Sequence, residues 1–172
     1  MATLRLQLEP LMGEHANVLF DGLRRPEIYE FIPDEPPSDL EALRQRFAHL
    51  ERRISPDCDE LWLNWAIKRN DGVYLGYAQA TVFSDGTAAL AYVIFPQYWR
   101  NGFGREACDR VVQYIFDDSL AALVTANCDS DNLASQALLK SIGFQIVGYV
   151  ENTASIRGRQ SDEVVYHRTK AR

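Results

Sequence analysis

Between residues 61 and 95 the chain abandons helical spacing for strand spacing, and this restricts the possible folds more than any other feature. Residues 61–68 and 73–83 are rich in aromatic and β-branched side chains and meet at Asn70-Asp71-Gly72, a strong hairpin signal. Ser84-Asp85-Gly86 makes a second tight turn into a third run, 88–95. Three consecutive antiparallel strands are therefore predicted. Pro96 lacks the N–H that a ladder needs and ends the third. An amphipathic helix follows over 105–117, with Ala107, Val111, Tyr114 and Ile115 facing inward.

The flanking segments supply helices and further strands. Residues 3–8 alternate apolar and polar, as a half-buried strand does, and 13–23 read as a short helix. Residues 24–37 form a loop rich in Pro, Glu and aromatics. Ser38 and Glu41 have the spacing of a capping box for a helix carrying Leu40, Leu43, Phe47 and Leu50 on one side. Residues 121–128 read as a buried strand, and 131–142 as a helix closed by Gly143. Two last strands are predicted over 144–150 and 164–168. The order β-α-α-β-β-β-α-β-α-β-β predicts an α/β fold. Its mixed, mostly antiparallel sheet would have about seven strands flanked by about four helices.

A chain of 172 residues suits one domain, here 1–172. A net charge of −6 argues against nucleic-acid binding, which depends on clustered Lys and Arg, and suits a neutral or cationic partner. No run approaches the roughly 20 apolar residues that span a bilayer, and residues 1–10 lack the apolar core of a signal peptide. No membrane association is expected. The three cysteines, Cys58, Cys108 and Cys128, form no metal-ligand cluster with the three histidines. Reduced thiols, no metal and a cytoplasmic location are the expectation.

The segment Trp99-Arg100-Asn101-Gly102-Phe103-Gly104-Arg105 joins strand to helix. The helix start offers unpaired N–H groups and the positive end of the macrodipole. Gly102 and Gly104 let a ligand approach the backbone, and Arg100 and Arg105 add positive charge. Together they can cradle a pyrophosphate. Gly102-Phe103-Gly104-Arg105-Glu106-Ala107 also fits a dinucleotide fingerprint. That fingerprint places its glycines directly after the strand, whereas here residues 96–101 intervene. Too few residues follow Asp129 for the further βα units of such a domain. Asn132 and Ser135 share one face of the next helix's first turn, on the sheet edge to which the glycine loop belongs.

Taken in order, these pieces resemble the GCN5-related N-acetyltransferase superfamily, especially the branch containing the N-terminal acetyltransferases of ribosomal proteins. The matching residues are 92–99 (Tyr-Val-Ile-Phe-Pro-Gln-Tyr-Trp), 100–107, Asn132-Leu133-Ala134-Ser135 and Lys140-Ser141-Ile142-Gly143-Phe144. Trp99 stands where the superfamily signature has Gln or Arg, as is common in that branch. The likeness extends from Leu4 to Tyr166. It implies acetyl-CoA as cosubstrate, with amides of Gly102, Phe103, Gly104 and Arg105 on the pyrophosphate. It also implies backbone bonds from Val93, Ile94 and Phe95 to the pantetheine arm, with Trp99, Arg100, Asn101 and Asn132 completing the cofactor contacts. Ser135 would lie near the sulfur and help protonate the thiolate, with Asn132 and Tyr92 beside it. The implied chemistry is direct attack of a primary amine, from a peptide or a small molecule, on the thioester by a monomer or homodimer, with no cysteine intermediate.

Two departures stand out. Many members carry glutamate where this chain has Ala89, and Ala154 occupies the place where the ribosomal-protein branch would have one. The general base is left open among Glu30, Asp34, Glu35, Glu151 and water-mediated routes through Tyr92 or Tyr149. The acidic segment with Tyr29, Glu30, Phe31 and Glu35 would suit a cationic acceptor. A non-catalytic acyl-CoA-binding module, and an aminoglycoside or polyamine acetyltransferase, are the alternatives.

Overall fold

The structure, a computed structural model, describes residues 1–170. Its strands are β1 Leu6–Pro10, β2 Glu60–Arg69, β3 Tyr74–Phe83, β4 Thr87–Ile94, β5 Leu123–Asp129, β6 Gln145–Ile156 and β7 Arg159–Thr169. Its α-helices are α1 Ala16–Leu23, α2 Leu40–Glu51, α3 Phe103–Asp117 and α4 Leu133–Ser141. The strands form one sheet in the order β1-β2-β3-β4-β5-β7-β6, antiparallel throughout except at β4–β5. This is the mixed α/β architecture that the sequence predicts.

The sheet is covered on both faces. On one, Leu63, Trp65 and Ile67 of β2 join Val111 and Ile115 of α3 and Leu139 of α4. On the other, Ala66 of β2 and Val93 of β4 pack with Leu19 and Leu23 of α1 and Leu43 and Phe47 of α2. Two-sided cover explains why the middle of β2 is an unbroken buried run rather than an alternating one. Tyr114 reaches this core edge-on, its ring 5.8 Å from that of Trp65.

Several boundaries move for physical reasons. The first strand starts at Leu6, because Thr3 turns aside to bond the Glu106 carboxylate. Asp39, not Ser38, caps α2, accepting the Ala42 amide at 2.8 Å, while Ser38 donates to the Asp39 carboxylate. The 24–37 loop contains a 3-10 turn, Pro26–Glu30. The largest difference is the last hairpin, which runs much further toward its tip than 144–150 and 164–168. Its β6 strand is an exposed edge with register shifts after Ile146 and Val150, so it lacks the alternation that marks a half-buried strand. Arg157 and Gly158, both at positive φ, make the turn.

One buried carboxylate fastens that hairpin to the rest. Asp129, only 3% exposed at the end of β5, accepts Ser161 Oγ at 2.6 Å, Arg159 Nη2 at 2.7 Å and the Asp131 amide at 2.8 Å. Burial pushes this carboxyl up, but the Ser161, Asp131 and Arg159 donors outweigh it and hold the group below the usual range. Its contribution is therefore complete above about pH 5 and is lost as pH falls through the depressed folded value. Asp129→Asn is expected to lose about 2 kcal/mol of stability at pH 7. Urea unfolding between pH 3 and pH 7 should show the variant lacking part of the wild type's acid-side decline.

Candidate functional site

The parallel pairing of β4 and β5 covers only Thr87–Leu123, Ala88–Val124 and Ala89–Thr125. Beyond it the strands separate, and a cleft of about 490 Å³ opens between them. Leu90, Tyr92 and Ile94 line it from β4, and Ala126, Asn127 and Cys128 from β5. Backbone groups on a strand edge without a neighbour need partners, so an extended ligand can enter here as an added strand. Alternation decides which groups are free. The Phe95 amide donates to the Leu75 carbonyl at 2.8 Å, and the Val93 carbonyl faces β3, pressed against Gly76. Ile94 thus points its backbone into the cleft, where Trp99 Nε1 already donates to its carbonyl at 2.6 Å.

The glycine loop closes one side of the cleft. Arg100 and Gly102 both have positive φ, at 62° and 77°, which turns the chain sharply into α3. No side chain caps that helix, so the amides of Phe103, Gly104 and Arg105 remain available. Glu106, the acid of the first turn, is held away by Arg5 at 2.7 Å and by Thr3. Arg100 and Arg105 are exposed, line the cleft and form no ion pair among the described residues. Gly104 has a second role, because a Cβ there would stand 2.9 Å from Leu138 Cδ1 and 3.4 Å from Ile94 Cγ1. The glycine lets α3 lie close against β4 and α4.

Inside the cleft, Tyr92 Oη and Ser135 Oγ are 2.9 Å apart. Burial raises the Tyr92 phenol well above its ordinary value, so it remains protonated at neutral pH. The Tyr92–Ser135 pair therefore holds two hydroxyl protons beside an apolar wall. Asn132 is the N-cap of α4, its Oδ1 accepting the Ser135 amide at 3.0 Å. That bond fixes the turn carrying Ser135. Cys128 lies in the same cleft, and burial pushes its thiol up to about 11. Cys108, on α3, is fully buried in the core.

Not every residue singled out in the sequence is in the cleft. Phe95 is only 3% exposed, and its ring packs with α1 beside Gly22. With its amide given to β3, it leaves the set of backbone donors. Asn101 turns outward, its amide group donating to the Trp99 carbonyl at 2.8 Å. Tyr29 is buried, donates to the Leu23 carbonyl at 2.8 Å, and lines a separate cavity of about 120 Å³ with Asp34, Arg46 and Tyr77. Glu35 and Glu151 are exposed and line neither space. Glu30 and Phe31 do line the cleft, joined by Glu27 and Ile32.

Glu163 of β7 is the residue that sequence reasoning missed. Its Oε2 accepts Asn127 Nδ2 at 3.1 Å on the cleft wall. The alternation of buried Val164 and Tyr166 would have placed Glu163 on the opposite face, had the strand been carried back beyond 164.

No helix among the described residues is long and apolar enough to cross a membrane. Residues 5–145 match the family model for the acetyltransferase (GNAT) domain. The uncharacterized N-acetyltransferase YoaA of Bacillus subtilis (strain 168) is 27% identical over 176 residues, spanning 100% of this chain and 97% of that protein. RimL, the ribosomal L7/L12 alpha-N-protein acetyltransferase solved in complex with coenzyme A, superposes with a TM-score of 0.87 at 15% identity, covering 98% of this chain and 96% of that one. The ribosomal-protein-S5-alanine acetyltransferase of Vibrio fischeri gives a TM-score of 0.85 at 16% identity, covering 98% and 95%. The solved structures share the fold, and the family match over most of the length decides the assignment: this chain belongs to the GNAT acetyltransferase family of acyl-CoA-dependent N-acyltransferases.

Proposed function

We propose that residues 1–172 act as one domain that moves an acetyl group from acetyl-CoA to a primary amine by direct attack on the thioester. The observation that carries this reading is the continuity of the cleft, which joins the uncapped start of α3 to the Tyr92–Ser135 pair. Amides of Phe103, Gly104 and Arg105, with Arg100 and Arg105, would take the pyrophosphate. The free edge of β4 at Ile94 would hold the pantetheine arm as an added strand. That directs the thioester toward Ser135.

The amine nitrogen attacks the carbonyl carbon and the C–S bond breaks. A leaving thiolate needs a proton, and the Ser135 hydroxyl, held by its hydrogen bond with Tyr92, is placed to relay to it the proton that the attacking amine loses on becoming an amide. Asn132 acts by holding the turn on which Ser135 sits. The raised thiol of Cys128 is a poor nucleophile at neutral pH, which favours direct transfer over a cysteine intermediate.

The rim favours a cationic acceptor, because Glu27, Glu30 and Glu163 face the same space beside Phe31 and Ile32. RimL and the Vibrio fischeri neighbour are named for acetylating ribosomal proteins, so a protein N-terminus leads among the acceptors. Ala89 and Ala154, where the resemblance would have glutamates, favour the second reading, a module that binds acyl-CoA without transfer.

A panel of serine- and alanine-initiated hexapeptides, spermidine and kanamycin, with thiol release as readout, decides between them. Acceptor-dependent thiol release supports transfer, whereas saturable acetyl-CoA binding with no release from any amine would refute it. Arg100→Glu and Arg105→Glu should each weaken acetyl-CoA binding roughly tenfold in calorimetry, less at high salt. Ser135→Ala should lower kcat about 10- to 100-fold with little change in the acetyl-CoA KM, as measured by steady-state kinetics.

A further inference from the structure

The acids at the cleft differ in how their oxygens are used. Asp129 is buried and saturated, with Ser161, Arg159 and the Asp131 amide on its carboxylate. Glu27 and Glu30 are exposed on the rim. Glu163 is half-buried on the cleft wall, and Asn127 fixes its Oε2. Its Oε1 accepts no hydrogen bond among the described residues. It shares the cleft with Ser135 and Cys128. Burial raises the Cys128 thiol, and the Glu163 charge adds to that rise.

The position explains a gap in the sequence. Ala154 pairs with Ser161 in the last hairpin, and Glu163 stands two residues along β7 on the face that carries Ser161. A carboxylate is thus present near a place where the sequence has alanine, but it comes from the neighbouring strand.

We propose that Glu163 is the general base of the transfer, accepting the ammonium proton of the acceptor at Oε1, with Asn127 positioning its carboxylate. The proposal rests on the acyl-transfer reading above. Of the three protons on an incoming ammonium, one passes to Glu163 and on to water. A second reaches the sulfur through Ser135 as the C–N bond forms and the C–S bond breaks, and the third stays on the amide. No oxidant or metal enters this balance.

The charged and titratable groups around Glu163 are Asp129 and Cys128 on β5, and Glu27 and Glu30 in the facing segment. On β6 its register partner is the uncharged Val150. Lys140 of α4 acts on the same Cys128 thiol. Asp129 is neutralised by Arg159, which leaves Glu163 as the carboxylate with a free oxygen on the inner wall.

Glu163→Gln keeps an acceptor for Asn127 while removing the basic oxygen. Steady-state thiol release is measured with acetyl-CoA and whichever amine of the panel gives most thiol, for the wild type and variant from pH 6 to pH 9.5. At pH 7 the variant should lose about 100- to 1000-fold in kcat with the acetyl-CoA KM and melting temperature unchanged. The deficit should shrink below tenfold near pH 9.5, where much of the amine arrives already neutral. Asn127→Ala should lower kcat by a smaller factor and leave the acetyl-CoA KM alone. A kcat within threefold of wild type at pH 7, a change confined to the acceptor KM, or a deficit equal at every pH would each overturn the assignment while leaving acyl transfer in place. A wild type that releases no thiol with any amine overturns the transfer reading first, and this one with it.

Discussion

Everything that makes this sheet a site follows from the shortness of one ladder. Among the described residues β4 and β5 are the only parallel neighbours, and they pair over three residues before parting. Had they stayed paired to Ile94 and Asp129, the middle of the sheet would be closed and the starts of α3 and α4 would lie over a sealed surface. Because they part, an unpaired strand edge, an uncapped helix start and a pair of hydroxyls share one space. Unpaired edges are usually a liability that proteins cover. Here the edge is internal, flanked by helices on both faces, and open to a slender ligand rather than to another sheet.

The contacts around the gap show how it is kept open. A Cβ at Gly104 would stand 2.9 Å from the end of the Leu138 side chain, so the glycine eases the approach of α3 to α4. Tyr92 reaches from β4 to Ser135 on α4, linking the two sides by a hydrogen bond instead of a ladder. At the far end of β5, Asp129 gathers the hairpin tip through Arg159 and Ser161. Arg157 from the same turn donates to the Pro26 carbonyl at 2.7 Å, so the hairpin also touches the segment that carries Glu27 and Glu30. The acidic rim is thereby tied to the sheet.

Much of this was legible from residues alone, and the failures have a common cause. The hairpins at Asn70-Asp71-Gly72 and Ser84-Asp85-Gly86, the glycine loop and the Gly143 helix stop are local signals, set by backbone sterics within a few residues. They carried over into the structure. What sequence reading misplaced depends on partners distant in the chain. Phe95 reads as part of a binding strand, but α1 claims its ring and β3 its amide. Tyr29 reads as an acceptor contact, but its hydroxyl is used inside the fold. Edge strand β6 hides its length because bulges and solvent remove the alternation by which strands are recognised.

Glu163 shows the same effect in the opposite direction. Searching the chain for a base looks for a glutamate at fixed offsets from other motifs, and those offsets hold Ala89 and Ala154. What the chemistry requires, however, is a carboxylate oxygen at a point in space, and adjacent strands can deliver side chains to nearly the same point. β7 lies between β5 and β6, next to the strand that walls the cleft, and Glu163 reaches the cleft from it. Asn127 on β5 then supplies the bond that turns an otherwise mobile side chain into a fixed one. In this arrangement the base is free to move between strands, provided the gap between β4 and β5 stays where it is.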